Sequence, residues 1–243
     1  MPVFQNITFN NFLIFNMHTI KLAVFDMAGT VVNEDNVVYK TLQRAINERG
    51  FQVTLDFVLE HGAGKEKHQA IKDIIKADIG SVDADMAASI FEDFKVLLGK
   101  AYEQLEVDSY DGVEDLLLAL KENGIKVALN TGYDTQTAQL LLDKMDWVEG
   151  KQYDVLVTAD DVVLSRPNPD MIVKAMMKLN VQQEELVLKA GDSIIDIEEG
   201  KNANCGITIG VTTGAHTRQQ LLSANPTHVL DSLTELKQLI SFG

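Results

Sequence analysis

The feature of this sequence that most constrains the fold is a regular alternation of short β-branched runs with segments of helical spacing. The runs carry apolar side chains on both faces, which is typical of strands buried in a parallel sheet. They cover residues 21–26, 126–131, 155–158, 186–190, 207–211 and 228–230. Strands that alternate with helices in this way predict an α/β fold with a doubly wound parallel sheet.

Apolar residues at spacings of three and four lie between these runs and indicate amphipathic helices. One stripe ends at Asn123 and Gly124, residues that commonly stop a helix. The last helix is expected to begin at a capping box formed by Ser232 and Glu235. The stripes consist of Val113, Leu116, Leu117 and Leu120, of Ile172, Met176 and Leu179, and of Leu236, Leu239 and Ile240.

One long region, residues 36–105, breaks the alternation because it has helical stripes and no strand pattern. Its stripes are formed by Val38, Leu42, Ala45 and Ile46, and by Ile90, Phe94, Leu97, Ala101 and Leu105. We therefore predict a helical cap domain over residues 35–108, inserted into a core domain formed by residues 1–34 and 109–243. The insertion follows the carboxyl end of the first strand, where open α/β sheets bind ligands, so the cap is placed to act as a lid.

The charge balance argues against two classes of partner. Asp and Glu number 36 against 21 Lys and Arg, so the formal net charge is −15. We therefore expect binding neither to nucleic acid nor to a membrane surface. Cys205 is the single cysteine, so no disulfide forms within the chain, and we expect a reducing, cytoplasmic location with Cys205 as a buried apolar residue.

The N-terminal residues 1–16 lack the basic start and the cleavage site of a signal peptide, and they are too rich in Asn to span a membrane. The first predicted strand begins near Ile20, just after Met17. Met17 is therefore a candidate start of translation, and an added edge strand is the alternative.

Polar segments follow four of the predicted strands. They are Asp-Met-Ala-Gly-Thr at 26–30, Asn-Thr-Gly-Tyr at 130–133, Ser-Arg-Pro-Asn-Pro at 165–169 and Gly-Asp-Ser-Ile-Ile-Asp at 191–196. The carboxyl ends of parallel strands meet at one edge of a sheet, so these segments should share a crevice. Each segment alone is weak evidence, but their common position at strand ends indicates a functional site.

The carboxylates of Asp26, Asp192 and Asp196 would converge in that crevice and repel one another. Mg²⁺ with oxygen ligands relieves such repulsion. Asp26 would keep a free oxygen that can attack phosphorus and form an aspartyl-phosphate intermediate.

The remaining polar groups suit a phosphoryl group. Thr131 offers a hydroxyl, the Gly132 amide offers a donor, and Arg166 offers a fixed positive fork. Phosphoryl transfer depends mainly on positioning and on charge neutralisation, which these groups supply.

The four segments resemble those of the haloacid dehalogenase superfamily of hydrolases, and a helical insertion after the first segment is the usual cap of that family. The resemblance implies a Rossmann-like core and a nucleophilic Asp26. It also implies Mg²⁺ held by Asp26, the Ala28 carbonyl and Asp192. Asp196 would be either a further ligand or a residue that contacts the ligands.

Most phosphatases of that superfamily carry a second aspartate where this chain has Ala28. That acid protonates the leaving group, and such help is typically worth ~10²–10⁴-fold. The phosphonatase-like branch, which includes phosphonoacetaldehyde hydrolase, tolerates alanine there. This chain resembles that branch in Asp-x-Ala-Gly-Thr at 26–30, Thr-Gly-Tyr at 131–133, Arg-Pro-x-Pro at 166–169 and Gly-x-x-Lys-x-x-His at 62–68.

The resemblance gives Lys65 a candidate role, because the matching lysine of phosphonatases forms a Schiff base with an aldehyde and the carbon–phosphorus bond then breaks without an acid. Lys65 could instead bind substrate together with Thr30, Gly132 and His68, or it could be idle. These three alternatives stay open at the level of sequence.

Three functions follow. The first is a Mg²⁺-dependent hydrolase of a small phosphonate or phosphate metabolite. The second is a small-molecule phosphomonoesterase of the phosphoglycolate phosphatase type. The third is a catalytically weakened protein that binds a metabolite. The sequence leaves the oligomeric state open.

Overall fold

The computed structural model describes residues 20–239, which form a sheet of parallel strands covered by helices. The strands of this sheet are β1 Leu22–Asp26, β4 Lys126–Asn130, β5 Val155–Val157, β6 Val187–Gly191, β7 Ile207–Val211 and β8 His228–Leu230. They lie in the order β5-β4-β1-β6-β7-β8, so the first strand is in the middle of the sheet. The predicted doubly wound α/β fold is confirmed, and each predicted strand agrees with the structure to within one residue at either end.

Alternate residues of the strands supply two apolar cores, one on each face of the sheet. Ala23 and Phe25 of β1 belong to the larger core, whereas Leu22 and Val24 belong to the smaller one. The covering helices are α5 Val113–Glu122, α6 Thr135–Lys144, α7 Asp170–Leu179, α8 Ile194–Asn202, α9 Arg218–Ser223 and α10 Leu236–Leu239. Every residue of β1, β6 and β7 is buried, which explains their apolar content on both faces.

The insertion after β1 is helical, as predicted. It contains α1 Val37–Asn47, α2 Leu55–Gly62, α3 Lys67–Ile79 and α4 Ala84–Gln104. Side chains cap three of these helices at their N-termini: Thr54 accepts from the amide of Phe57, Glu66 from those of His68 and Gln69, and Asp83 from that of Met86. The cap helices bury their own apolar stripes, which join the larger core of the molecule.

A short antiparallel ribbon joins the insertion to the core, and the sequence did not reveal it. Its strands are β2 Val32–Asn33 and β3 Asp108–Ser109, which are too short to show a periodic pattern. The ribbon lies at both ends of the predicted cap, residues 35–108, and that division of the chain stays a prediction.

Cys205 is half-buried and packs against the smaller core, and burial raises the pKa of its thiol to about 12. Among residues 20–239, no helix has the length and apolar character needed to cross a bilayer. The predictions about Met17, residues 1–16 and Ile240 lie outside the described residues.

Candidate active site

The carboxyl ends of the central strands bring the acidic residues together. Asp26 ends β1 opposite Asn130, which ends β4, and Asp192 follows Gly191 at the end of β6. Ligand atoms of Asp26, Asp192 and Asp196 lie within 4.8 Å of one another, and all three side chains are buried. The sheet register therefore produces the convergence of carboxylates that the sequence predicts.

Two glycines make room for the Asp192 carboxylate. Its Oδ2 accepts a hydrogen bond of 2.6 Å from the Ala215 amide. A Cβ atom at Gly29 or Gly214 would overlap this same oxygen, and Gly29 also has a positive φ of 83°. The Asp-x-Ala-Gly-Thr segment thus needs glycine at its fourth position for both reasons.

Arg166 links the nucleophile candidate to the neighbouring strand. Its Nη1 donates to Asp26 Oδ1 at 2.6 Å and lies 3.0 Å from Asp196 Oδ1. Its Nη2 donates to the carbonyl of Asn130 at 2.6 Å and to Oδ1 of the same residue at 2.9 Å. The guanidinium is fully buried, so the fork is held in one orientation.

A second buried cation lies behind Arg166, and sequence reasoning missed it. Lys189 Nζ donates to Asn130 Oδ1 at 2.7 Å and lies 2.9 Å from Asp196 Oδ1 and 3.2 Å from Glu199 Oε2. Glu199 in turn accepts from Asn130 Nδ2 and lies 3.2 Å from Arg166 Nε. A lysine within the apolar run of β6 was the signal available in the sequence, because buried lysines are rare without a partner.

The buried network contains more acidic than basic side chains, and this excess of negative charge affects metal binding. The buried charged groups are those of Asp26, Asp192, Asp196, Glu199, Arg166 and Lys189. Burial raises the pKa of Asp192 well above its usual range, and the charge of Asp26 adds to this effect. Burial also favours the neutral form of Asp196, but Arg166 and Lys189 outweigh it and lower the pKa of that carboxyl. Asp26 and Asp192 are therefore undercompensated oxygen donors, a set that fits a divalent cation such as Mg²⁺.

A crevice above these carboxylates is lined from both the core and the cap. Its walls are formed by Asp26, Ala28, Tyr39, Gly64, Lys67, Thr131, Gly132, Tyr133 and Arg166. Thr131 Oγ1 accepts from the amide of Tyr133 at 3.2 Å. A Cβ atom at Gly132 would lie 2.9 Å from the carbonyl oxygen of Lys65, so glycine lets the cap approach the core here.

Lys67, rather than Lys65, faces this crevice. The Lys67 side chain is buried, and its Nζ donates to the carbonyl of Lys65 at 2.8 Å. The same atom lies 5.4 Å from the ring centre of Tyr39 and 5.2 Å from that of Tyr133. Burial lowers the pKa of Lys67, although Asp26 opposes this effect.

The side chain of Lys65, which is predicted to form a Schiff base, bind substrate or be idle, points away from the crevice in this structure. Lys65 Nζ pairs with Asp73 Oδ2 at 2.5 Å, and its side chain does not line the crevice. The local backbone gives the reason. Gly64 turns the chain with a φ of 75°, and Glu66 caps α3, so Lys65 lies outside the helix whereas Lys67 begins it.

Two further predicted residues lie outside the crevice. Thr30 is buried and does not line it, and its hydroxyl has no hydrogen-bond partner among the described residues. His68 stacks on Phe91 with ring centres 5.2 Å apart. It lines a separate cavity of about 450 Å³ between the cap and α6, which adjoins the crevice at Lys67 and Tyr133.

A buried glutamate at the crossing between core and cap was also missed. Glu34 Oε2 accepts from the Val38 amide and from the Tyr102 hydroxyl, both at 3.0 Å. Tyr102 and Tyr133 share a further hydroxyl contact of 3.0 Å. Burial raises the pKa of Glu34 to about 7.

Comparison with known proteins identifies the family. Residues 23–211 match the family described as haloacid dehalogenase-like hydrolase. The phosphonoacetaldehyde hydrolase of Latilactobacillus sakei subsp. sakei (strain 23K) is 31% identical over 209 residues, which are 80% of this chain and 76% of that protein. The phosphonoacetaldehyde hydrolase of Bacillus cereus (strain B4264) is 29% identical over 207 residues, 81% of this chain and 77% of that protein.

Solved structures show the same fold. A phosphonoacetaldehyde hydrolase like protein from Oleispira antarctica superposes with a TM-score of 0.78 at 22% identity, covering 98% of this chain and 95% of that one. A predicted phosphoglycolate phosphatase from Haemophilus somnus 129pt gives a TM-score of 0.74 at 20% identity, covering 91% and 98%. The family match, the relatives and the fold agree with the geometry of the crevice: this chain belongs to the haloacid dehalogenase-like hydrolase family and is a hydrolase.

Proposed function

We propose that this hydrolase is Mg²⁺-dependent and cleaves a small phosphonate or phosphate metabolite through an aspartyl-phosphate on Asp26. The observation that carries the proposal is the state of the two Asp26 oxygens. Oδ1 is fixed by Arg166, whereas Oδ2 accepts no hydrogen bond from residues 20–239. A carboxylate with one anchored and one free oxygen is suited to attack phosphorus in line.

The residues that would hold Mg²⁺ are Asp26, Asp192 and the carbonyl of Ala28. When bound, the ion would offset the negative charge of these carboxylates and of the transferred phosphoryl group. Asp196 has a different task, because its Oδ2 accepts from Ser193 and its Oδ1 faces Arg166. It orients the guanidinium rather than the ion.

The crevice offers an amine for the phosphonate reaction. A lysine attacks a carbonyl only as the neutral amine, and burial of Lys67 favours that form. The amine adds to an aldehyde and loses water to give an iminium. Phosphorus then passes to Asp26, while the iminium takes up the electron pair of the carbon–phosphorus bond. Protonation and hydrolysis of the resulting enamine release the aldehyde and the free lysine, and attack of water on the aspartyl-phosphate releases phosphate and restores the Asp26 carboxylate.

The second candidate is a phosphomonoesterase of the phosphoglycolate phosphatase type. Here Lys67 remains an ammonium group and binds an anionic leaving group. Its hydrogen bond to the Lys65 carbonyl and its position over two tyrosine rings favour the cation. Because the chain is a hydrolase, a function as a pure metabolite-binding protein is disfavoured.

The first experiment measures phosphate release from phosphonoacetaldehyde and from phosphoglycolate, with Mg²⁺ and with a chelator. We expect Mg²⁺-dependent release that Asp26→Asn lowers by on the order of 10⁴-fold, because the nucleophile is lost. Asp231→Asn, at an exposed surface position, is the matched control and should behave as the unmodified protein. Equal rates for Asp26→Asn and the unmodified protein would exclude the aspartyl-phosphate.

A second experiment separates the two candidates. Borohydride is added during reaction with phosphonoacetaldehyde, and the modified peptide is then mapped. An adduct on Lys67 supports the phosphonate reaction, and an adduct on Lys65 contradicts our placement of the reactive amine. Phosphate release from phosphoglycolate without any adduct supports the phosphomonoesterase.

A further inference from the structure

The crevice lacks a carboxylic acid at Ala28, but the cap contributes a tyrosine to the lining of the same crevice. Tyr39, on α1, has a buried side chain that lines the crevice together with Asp26 and Ala28. The hydroxyl of a tyrosine is both a hydrogen-bond acceptor and a proton donor.

The hydrogen bonds of Tyr39 leave its proton available. Its Oη accepts from the Gly64 amide at 3.0 Å and donates to no atom of residues 20–239. The other tyrosines near the crevice differ, because Tyr102 and Tyr133 contact each other and Tyr102 also donates to Glu34. Tyr39 thus combines a partner that stabilises its oxygen with a proton that has no acceptor.

The amide that contacts Tyr39 is held against the core. Gly64 has a φ of 75°, and a Cβ atom there would overlap Ser193 Oγ and lie 2.9 Å from Ile195 Cβ. Ser193, which directly follows Asp192, is the N-cap of α8, and Ile195 lies in the first turn of that helix. Contact between cap and core therefore places the Gly64 amide and fixes the Tyr39 oxygen.

We propose that the Tyr39 hydroxyl is the proton donor to the leaving group, in the role that an acid at position 28 would otherwise fill. The inference rests on the proposed phosphoryl transfer to Asp26, and it names the substrate class as phosphate monoesters with an alkoxide leaving group. Burial and the charge of Asp192 hold the pKa of Tyr39 well above the usual value of a phenol, although the hydrogen bond from the Gly64 amide opposes this effect, so the hydroxyl is protonated at neutral pH. An alkoxide is more basic than a phenolate and takes its proton.

The transfer balances in two steps. Asp26 Oδ2 attacks phosphorus, the phosphorus–oxygen bond to the leaving group breaks, and the Tyr39 proton moves to the departing oxygen. The Gly64 amide and the ammonium group of Lys67, 5.4 Å from the ring centre, stabilise the phenolate that remains. In the second step water attacks the phosphoryl group, its proton returns to Tyr39, and Asp26 is released with phosphate.

The test is Tyr39→Phe, which removes only the hydroxyl, assayed with Mg²⁺ on ethyl phosphate and on p-nitrophenyl phosphate. The nitrophenolate leaves without a proton, whereas the ethoxide needs one. We expect kcat/KM for ethyl phosphate to fall by roughly 10²–10⁴-fold and that for p-nitrophenyl phosphate to fall by less than about tenfold. Tyr153→Phe is the control, because Tyr153 is a buried tyrosine outside the crevice, and it should change neither rate.

Two results would overturn the proposal. An equal fall for both substrates would show that Tyr39 supports the structure or binds substrate, and an unchanged rate on ethyl phosphate would show that it donates no proton. A second measurement needs no variant: kcat/KM of the unmodified protein is determined for phosphate esters whose leaving groups differ in pKa. If a proton is donated, kcat/KM depends only weakly on the leaving-group pKa. A steep dependence contradicts proton donation.

Failure of this inference is distinguishable from failure of the proposed function. Acetyl phosphate has a leaving group that needs no proton, so it should phosphorylate Asp26 in both the unmodified protein and Tyr39→Phe. If acetyl phosphate gives an aspartyl-phosphate but no alkyl phosphate is cleaved, Asp26 is the nucleophile and Tyr39 is not a proton donor. Absence of the aspartyl-phosphate in every case would refute both.

Discussion

The two walls of the crevice are built in different ways. The core wall, formed by Asp26 and Arg166, consists of a strand end and of a side chain locked into a buried ionic network that includes Asn130 and Lys189. The cap wall, formed by Tyr39, Gly64 and Lys67, consists of helix residues and a turn with few polar contacts. The first arrangement follows from sheet topology, whereas the second depends on local backbone geometry.

This difference predicts where charge contributes most to stability. On the core wall every cation has several partners: Lys189 alone contacts Asn130, Asp196 and Glu199 at 2.7–3.2 Å. On the cap wall Lys67 has one hydrogen bond and two aromatic rings. Substitutions in the core wall should therefore affect folding first, and substitutions in the cap wall should affect catalysis first.

The largest expected effect is that of Lys189→Met. Loss of the ammonium group leaves Glu199 and Asp196 buried with less compensation, and breaking such a pair typically costs about 3–5 kcal/mol. Denaturant unfolding should show a fall of this size in the free energy of unfolding. A double variant with Glu199→Gln should recover part of the loss, because it removes the unpaired carboxylate as well.

The exposed ion pair of Lys40 and Asp35, at 2.8 Å, provides the matched control. Lys40→Met should change the free energy of unfolding by less than about 1 kcal/mol, since exposed pairs contribute little. A cost for Lys189→Met as small as that for Lys40→Met would show that the buried network of the core wall contributes no more to stability than an exposed ion pair.

The core wall could largely be predicted from the sequence, and the reason is physical. Parallel strands end at one edge, so Asp26, Arg166 and Asp192 could be placed near one another without coordinates. The partners of Lys189 could not, because its contacts depend on how α8 crosses β6 and brings Glu199 to the strand. Local periodicity does not show which side chains of a strand and of the helix after it will form a pair.

The cap wall was harder to predict for a different reason. The choice between Lys65 and Lys67 depends on where α3 begins, and a shift of two residues near a helix terminus reverses the direction of a side chain. Tyr39 gave no signal beyond an aromatic residue beside an apolar stripe. Spacing predicts which face of a helix is buried, but it does not predict which buried polar atom faces a ligand.

The second-largest expected effect on stability concerns Glu34, which lies where the chain crosses from the core to the cap. Burial raises the pKa of Glu34 from 4.5 to about 7, so the folded protein favours the protonated acid. The protonated acid therefore contributes about 3 kcal/mol to the free energy of unfolding. This contribution is complete below about pH 4.5 and is lost as the pH rises through 7. Glu34→Gln keeps the acceptor for Tyr102 without the charge, so relative to this variant the unmodified protein should become less stable over that interval.

Unfolding of both proteins by denaturant at pH 5, 6, 7 and 8 measures this difference. Glu48→Gln, at an exposed position at the end of α1, is the control and should show the pH dependence of the unmodified protein. Parallel stability curves for Glu34→Gln and the unmodified protein would mean that Glu34 ionises as freely as an exposed carboxyl.

The smallest expected effect compares the two cap lysines directly. With a phosphate monoester as substrate, Lys67→Met should lower kcat/KM by between about 10-fold and 10²-fold, because a charge-assisted hydrogen bond to substrate contributes about 1.5–3 kcal/mol. Lys65→Met breaks only the half-exposed pair with Asp73, so its kcat/KM should stay within about threefold of the unmodified protein. A larger loss for Lys65→Met than for Lys67→Met would mean that the turn at Gly64 rearranges when substrate binds, and that the cap wall, unlike the core wall, is assembled by its ligand.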